Sequence, residues 1–135
     1  MGKLFKTVIL FSFLSLIFLT GCDDSKGEDT HYKPSEYKHN IAVNNADSAV
    51  DDVNKEILQM GAETSADIVY NTYNDGITKL NEQLTILENT KKQISDDTDL
   101  TNSEIKSWNS RYDDSIKSVK NAIKKIEKQK ADFLK

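Results

Sequence analysis

The chain has 135 residues, 18 of them Lys or Arg and 22 Asp or Glu, for a formal net charge of -4. That balance does not suggest a nucleic-acid partner, a lone cysteine excludes an intramolecular disulfide, and the length suits one small domain plus a leader rather than two domains. One proline and five glycines leave few helix breakers.

The first segment opens with Lys3 and Lys6 and continues as an apolar run from Val8 to Leu19, interrupted only by Ser12 and Ser15. A positive start and an apolar stretch with no acid are the parts of a secretory signal. The run falls short of the roughly 20 apolar residues needed to cross a bilayer stably, so export with processing is expected over an uncleaved span. The run ends in Leu19, Thr20, Gly21 and Cys22, which supply an aliphatic residue, a small residue, a glycine and a cysteine in succession. Small side chains let an extended backbone enter a protease groove, and a thiolate is the side chain most readily alkylated.

Position by position this motif resembles the bacterial lipobox, the cleavage site of the lipoprotein signal peptidase. The resemblance covers only residues 1–22. It implies that Cys22 becomes the mature N-terminus on a thioether-linked diacylglycerol, to which an N-acyl group such as palmitate can be added. The mature chain would then be anchored at the extracytoplasmic face of the cell membrane. Two acyl chains, at about 0.8 kcal/mol per buried methylene, give lasting attachment.

Residues 22–40 are polar, carry no periodic apolar residue and hold the only proline, Pro34, so they read as a lipidated flexible tether. His31, Glu36 and His39 fall inside it and, lacking a rigid scaffold, read as solvated rather than metal-binding. Pro34-Ser35-Glu36 offers an earlier helix start, which would let Tyr37 to Ile41 extend the first helix.

Residues 41–135 read as an all-α domain. Val43, Ala46, Val50, Val53, Ile57 and Met60 alternate steps of three and four, which predicts an amphipathic helix over about 43–60, ending or kinking at Gly61. Thr64 with Asp67 resembles a capping box, and a second stripe runs Ala66, Val69, Tyr73, Ile77, Leu80, Leu84, Leu87, Ile94, predicting a helix over 65–94. Gly76 inside it costs about 1 kcal/mol against Ala and marks either a close helix contact or a bend. Asp96 to Asp99 form the clearest loop. Thr101 with Glu104 is a full capping box, and a third stripe from Ile105 through Trp108, Tyr112, Ile116, Val119, Ile123 and Ile126 to Phe133 predicts a helix over 101–134.

Spacings of seven imply shallow crossing angles, as in a three-helix bundle or coiled coil. A long antiparallel hairpin with a shorter third helix is expected. Folding at Asp96 to Asp99 sets Ile116 opposite Leu80, Val119 opposite Ile77, Ile123 opposite Tyr73 and Ile126 opposite Val69. The first helix then covers residues 65–82 and the C-terminal half of the third. This pairing leaves the hairpin tip, roughly Gln83 to Tyr112, without a third helix: either Tyr37 to Ile41 extend the first helix over it, or the two helices bury enough alone, or Trp108, Tyr112 and Leu87 are partner contacts, since buried aromatic anchors dominate many interfaces.

A second candidate is electrostatic. From Lys117 to Lys135 seven lysines accompany two acids, whereas residues 22–116 carry nine basic and twenty acidic side chains. Lys117, Lys120, Lys124 and Lys128 form a stripe along one edge of the helix, suited to an anionic wall polymer, headgroups or an acidic protein face, or simply solvated. Asp97, Asp99 and Thr101 hold the first, third and fifth places of an EF-hand-like loop, but Asn102 replaces the glycine and Trp108 the bidentate Glu, so no metal is expected there. No Ser/His/Asp or Cys/His set stands on a rigid element, and neither an enzyme nor a cofactor is expected.

These features predict a non-enzymatic binding module at the cell envelope. Its partner would be an envelope or surface protein, or an anionic wall polymer. A structural spacer, or a coiled coil self-associating as a homo-oligomer, is the alternative. Exclusion and immunity lipoproteins of phages and conjugative elements are similar in size and location, though no motif ties the chain to them.

Overall fold

Each helix of this protein starts where the backbone has been prepared for it. The computed structural model describes residues 33–135; Leu19, Thr20, Gly21, Cys22 and His31 lie outside the described residues. Three helices follow, α1 (Pro34–Leu58), α2 (Ala66–Lys92) and α3 (Asn102–Phe133), with a 3-10 turn at Ile94–Asp96 and no strand among the described residues.

Helix α1 begins nine residues before Val43. Pro34 occupies its first turn, where a missing N–H leaves nothing unsatisfied, and it forces Lys33 into the extended conformation seen there (φ -62, ψ 135). Residues 34–40 are therefore helix, correcting the tether assigned to them. The polar composition hid this because the core position in that stretch is filled by His39, which is 1% exposed. The remaining buried positions of α1 are small, Ala42, Val43, Ala46, Ala49 and Val53, and let its backbone come close to its neighbours.

Helix α2 is continuous through Asn74, Asp75 and Gly76. Its N-cap is Ser65 without a side-chain cap bond, so the expected box of Thr64 and Asp67 is not formed. Helix α3 has the reciprocal box: the Glu104 N–H donates to Thr101 Oγ1 at 3.3 Å and the Thr101 N–H to Glu104 Oε2 at 2.7 Å.

The register differs from the folded-hairpin expectation. Lys120 reaches Glu88 at 2.9 Å, Lys130 reaches Asn74 at 2.6 Å, and Lys91 pairs with Asp113. Helix α3 is thus slid by about eight residues, roughly 12 Å, relative to the pairing of Ile116 with Leu80. The cause is the connection. Instead of turning sharply at Asp96 to Asp99, it buries Ile94 and Leu100 beside the bundle before α3 begins. The same stripes are buried in a different pairing.

Helix α1 runs parallel to α3 and antiparallel to α2. Lys33 meets Glu104 at 2.9 Å, Arg111 meets Asn40 at 3.2 Å and Ser115 meets Asp47 at 3.2 Å. It therefore lies beside nearly all of α3, from Glu104 to about Lys128, and is not confined to the C-terminal half. The end left uncovered lies beyond Leu58, where Phe133 continues the core stripe of α3 yet is 43% exposed; Ile68 and Tyr70 in the first turns of α2, and Leu134, are exposed as well. Phe133 keeps one aromatic neighbour, Tyr73, at 6.4 Å between ring centroids.

The α1–α2 contact is tight at Gly76, where an added Cβ would lie 2.7 Å from Val53 Cγ1. The glycine thus marks a close helix approach and not a bend. Gly76→Ala gains about 1 kcal/mol of helix propensity and loses about 1–3 kcal/mol to overpacking, so its melting temperature should fall. In a Val53→Ala background the obstructing methyl is gone, and thermal melts should show Gly76→Ala stabilising there.

Candidate functional site

Two groupings of polar side chains come out of this arrangement, one sealed and one open. The sealed one forms because parallel packing brings the start of α1 against the α2–α3 connection. Tyr112 OH lies 3.0 Å from His39 Nδ1, and His39 Nε2 lies 3.4 Å from Asp97 Oδ2. An imidazole carrying its proton on Nε2 satisfies both contacts, donating to Asp97 and accepting from the phenol. Ser35 Oγ lies 3.0 Å from both Asp97 Oδ1 and Asp99 Oδ2, and the Asp99 N–H donates to Asp97 Oδ1 at 3.1 Å. The Trp108 ring packs on His39 at 5.4 Å, with the Arg111 guanidinium 4.3 Å above it.

Burial acts on Asp97 to raise its pKa, but the Asp99 N–H, the Ser35 hydroxyl and His39 outweigh it, so the carboxyl sits below its ordinary range. Glu104 is held at about 2 by the Thr101 N–H and the Lys33 ammonium, with the Thr101 hydroxyl adding to them. Burial pushes Tyr112 up to about 12. A His–Tyr–Asp set could in principle relay protons, yet here His39 and Tyr112 are shut off from solvent. The open groove nearest it, about 350 Å³ between Val43, Asp47, Arg111, Asp114, Ser115 and Ser118, is lined by none of the three. The set works as a latch between α1 and the connection. Among the described residues no three His, Cys, Asp or Glu side chains converge to hold a metal.

This placement overturns the partner contacts expected at the hairpin tip. Trp108, Tyr112 and Leu87 are core residues, Tyr112 and Leu87 with no exposed surface. Their burial comes from α1, whose start at Pro34 carries His39 onto Trp108 and Tyr112, as the alternative of an extended first helix expects. The missed residue is His39, which stands four before Val43 and seven before Ala46 and so continues the α1 stripe.

The open grouping is the lysine stripe. Lys117, Lys120, Lys124 and Lys128 are all exposed. At 100° per residue, Lys117, Lys124 and Lys128 fall opposite buried Val119 and Ile126, on the outermost line of α3 and not on an edge as expected. Lys120 alone of the four is tied down, by Glu88; no carboxylate among the described residues comes within 4.0 Å of the other three.

Titration should separate the two halves of the latch. Asp97 and Glu104 have lowered pKa values, so their contribution is complete above the ordinary carboxylate range and is lost in acid, that of Glu104 as pH falls toward about 2. Tyr112 has a raised one, so its contribution is complete below about pH 10 and is lost as pH rises through 12. Tyr112→Phe leaves His39 Nδ1 unpaired and should lower stability by about 1–3 kcal/mol at neutral pH. Denaturant titrations across pH should show that variant losing part of the alkaline slope and keeping the acid one.

Among the described residues no helix is long and apolar enough to cross a membrane. Comparison of the chain with protein families, with curated proteins and with solved structures finds no match.

Proposed function

We propose that this chain is exported, cleaved before Cys22 and lipidated there, and that the bundle acts as a non-enzymatic binding module on the outer face of the cell membrane. The observation that carries the reading is the succession Leu19, Thr20, Gly21, Cys22 behind a basic and apolar leader. What supports the binding role is the division of polar groups in the bundle. The set of His39, Tyr112 and Asp97 is sealed and spent on holding helices together, whereas Lys117, Lys124 and Lys128 present cations without an ion-pair partner among the described residues on the outer face of a helix. Rigid helices presenting exposed charge suit recognition of another surface, such as an envelope protein or an anionic polymer.

Metabolic labelling with a palmitate analogue should mark the wild-type chain and not Cys22→Ser, and the variant should leave the membrane fraction. Labelling of the variant, or a Cys22 found as a free thiol in the wild-type chain, would remove the anchor from this reading.

A second reading, a self-associating spacer, is favoured by the uncovered end, where Leu58, Ile68, Phe133 and Leu134 are exposed together. Sedimentation equilibrium should then show a dimer or higher species that Phe133→Ser and Leu134→Ser convert to monomer. A monomeric wild-type chain sinks this alternative.

A further inference from the structure

The lysine row on α3 is poorly explained as a helix-stabilising or merely solvated flank. Lys120, Lys124 and Lys128 follow one another at i, i+4, and Lys117 with Lys120 and Lys125 with Lys128 at i, i+3, spacings at which like charges destabilise a helix. The helix dipole rewards cations only in the last turn, which here holds Lys130, so it does not account for Lys117 to Lys128. Acids stand within reach in sequence at Asp113, Asp114 and Glu127, yet none of them forms an ion pair with Lys117, Lys124 or Lys128.

We infer that the outermost face of α3, built on Lys117, Lys124 and Lys128 with Lys125 beside them, lies against the anionic phospholipid headgroups of the membrane that carries the chain. This rests on the anchored reading above and adds its second point of contact. Lysines act as point charges suited to a diffuse headgroup potential, whereas bidentate recognition of a fixed phosphate or carboxylate favours arginine, and the row contains none. The face is straight, about 16 Å from Lys117 to Lys128, and polar at Asn121, so it can lie flat without inserting. Reach is also satisfied. Ten residues separate Cys22 from Lys33, a length of chain that can reach at most about 35–40 Å. Lys33 is pinned to Glu104 at the start of α3, so the row begins about 20 Å along the helix from the anchored end. A tethered patch at such range needs little intrinsic affinity, because the anchor sets a high effective concentration.

The test uses the lipidated chain in vesicles of neutral phosphatidylcholine alone or with about one-third phosphatidylglycerol. A fluorophore is placed through Asn121→Cys on the row or Glu82→Cys on the exposed far side of α2. Aqueous iodide should quench residue 121 several-fold less on anionic than on neutral vesicles, 0.5 M salt should abolish the difference, and residue 82 should not respond. Each lysine near an anionic surface counts for about fivefold, so Lys117→Gln/Lys124→Gln/Lys128→Gln should weaken the surface-bound state on the order of 100-fold. Lys38→Gln/Lys55→Gln/Lys92→Gln, which removes equal charge from other faces, should leave the protection of residue 121 in place. Residue 121 equally quenched on both vesicles, or equal losses in the two triple variants, overturns the proposal. So does protection by soluble poly(glycerol phosphate) on neutral vesicles with none from anionic lipid, which would assign the face to a polymer. A chain that proves unlipidated defeats the anchor alone; the lysine face is then judged by salt-sensitive flotation with anionic vesicles, which the row variant must lower and whose absence overturns it.

Discussion

The contact on which the arrangement depends is His39 inserted between Trp108, Tyr112 and Asp97. An imidazole and a phenol buried without partners would each cost about 1–3 kcal/mol, whereas here each satisfies the other, with Asp97 closing the chain. Only one alignment of α1 achieves this. His39 must stand level with Tyr112, which sets α1 parallel to α3 with Lys33 beside Glu104 and Asp47 beside Ser115. Apolar packing alone would be more permissive, because the buried face of α1 is made largely of alanines and valines that fit many positions of a partner stripe. The polar contact supplies the specificity, and the stripes supply most of the burial.

The sequence made that division visible in part. The existence and approximate limits of α2 and α3 followed from strong periodicity and, for α3, from the Thr101–Glu104 box, because both signals are local. Register did not follow. A heptad stripe slid by seven or eight residues again sets apolar against apolar, so the pairing of Ile116 with Leu80 looked as consistent as the one formed. What decides between them is nonlocal: the length absorbed by the connection through Ile94 and Leu100, and the polar partners of His39. The error at Trp108, Tyr112 and Leu87 follows directly, since a misplaced α1 strips cover from one end of the hairpin and adds it to the other. Pro34 was the local clue, being a helix-initiating residue in a stretch whose composition argued for a tether. The lysine row was legible as a stripe, but its outward aim became evident only once the buried face of α3 was fixed.

Charge in this fold is sorted by element. Carboxylates gather at the α2–α3 connection, where Asp97, Asp99 and Glu104 receive Ser35, the Thr101 N–H and Lys33 and so fasten the start of α1. These acids are internally answered, which is why Asp97 and Glu104 titrate low. The cations of the C-terminal half of α3 have few such answers. Lys120 finds Glu88 and Lys130 stands 4.5 Å over the Tyr70 ring, but the outermost three face water. Exposed pairs contribute little to stability in any case. A surplus of unanswered lysines therefore does little for the fold, and its consequences lie in the field it projects.

The register of α1 also gives the rod two unlike ends. At one, chain entry is clasped by carboxylates around Lys33, Ser35 and His39; at the other, α1 stops at Leu58 while α2 and α3 continue, leaving Phe133 only partly covered. Had α1 paired as the periodicity alone allowed, the open end would hold Trp108 and lie on the side where the chain enters. The observed register instead closes the end at which the chain enters the bundle and leaves the apolar end at the opposite pole. A bundle lying on its lysine face would then carry Phe133 and Leu134 outward along the surface, accessible to neighbours in the same membrane. Because contact through lysines is screened by salt and apolar contact is not, the two proposed contacts would respond oppositely to ionic strength: raising it would free the bundle from the lipid while favouring association through Phe133.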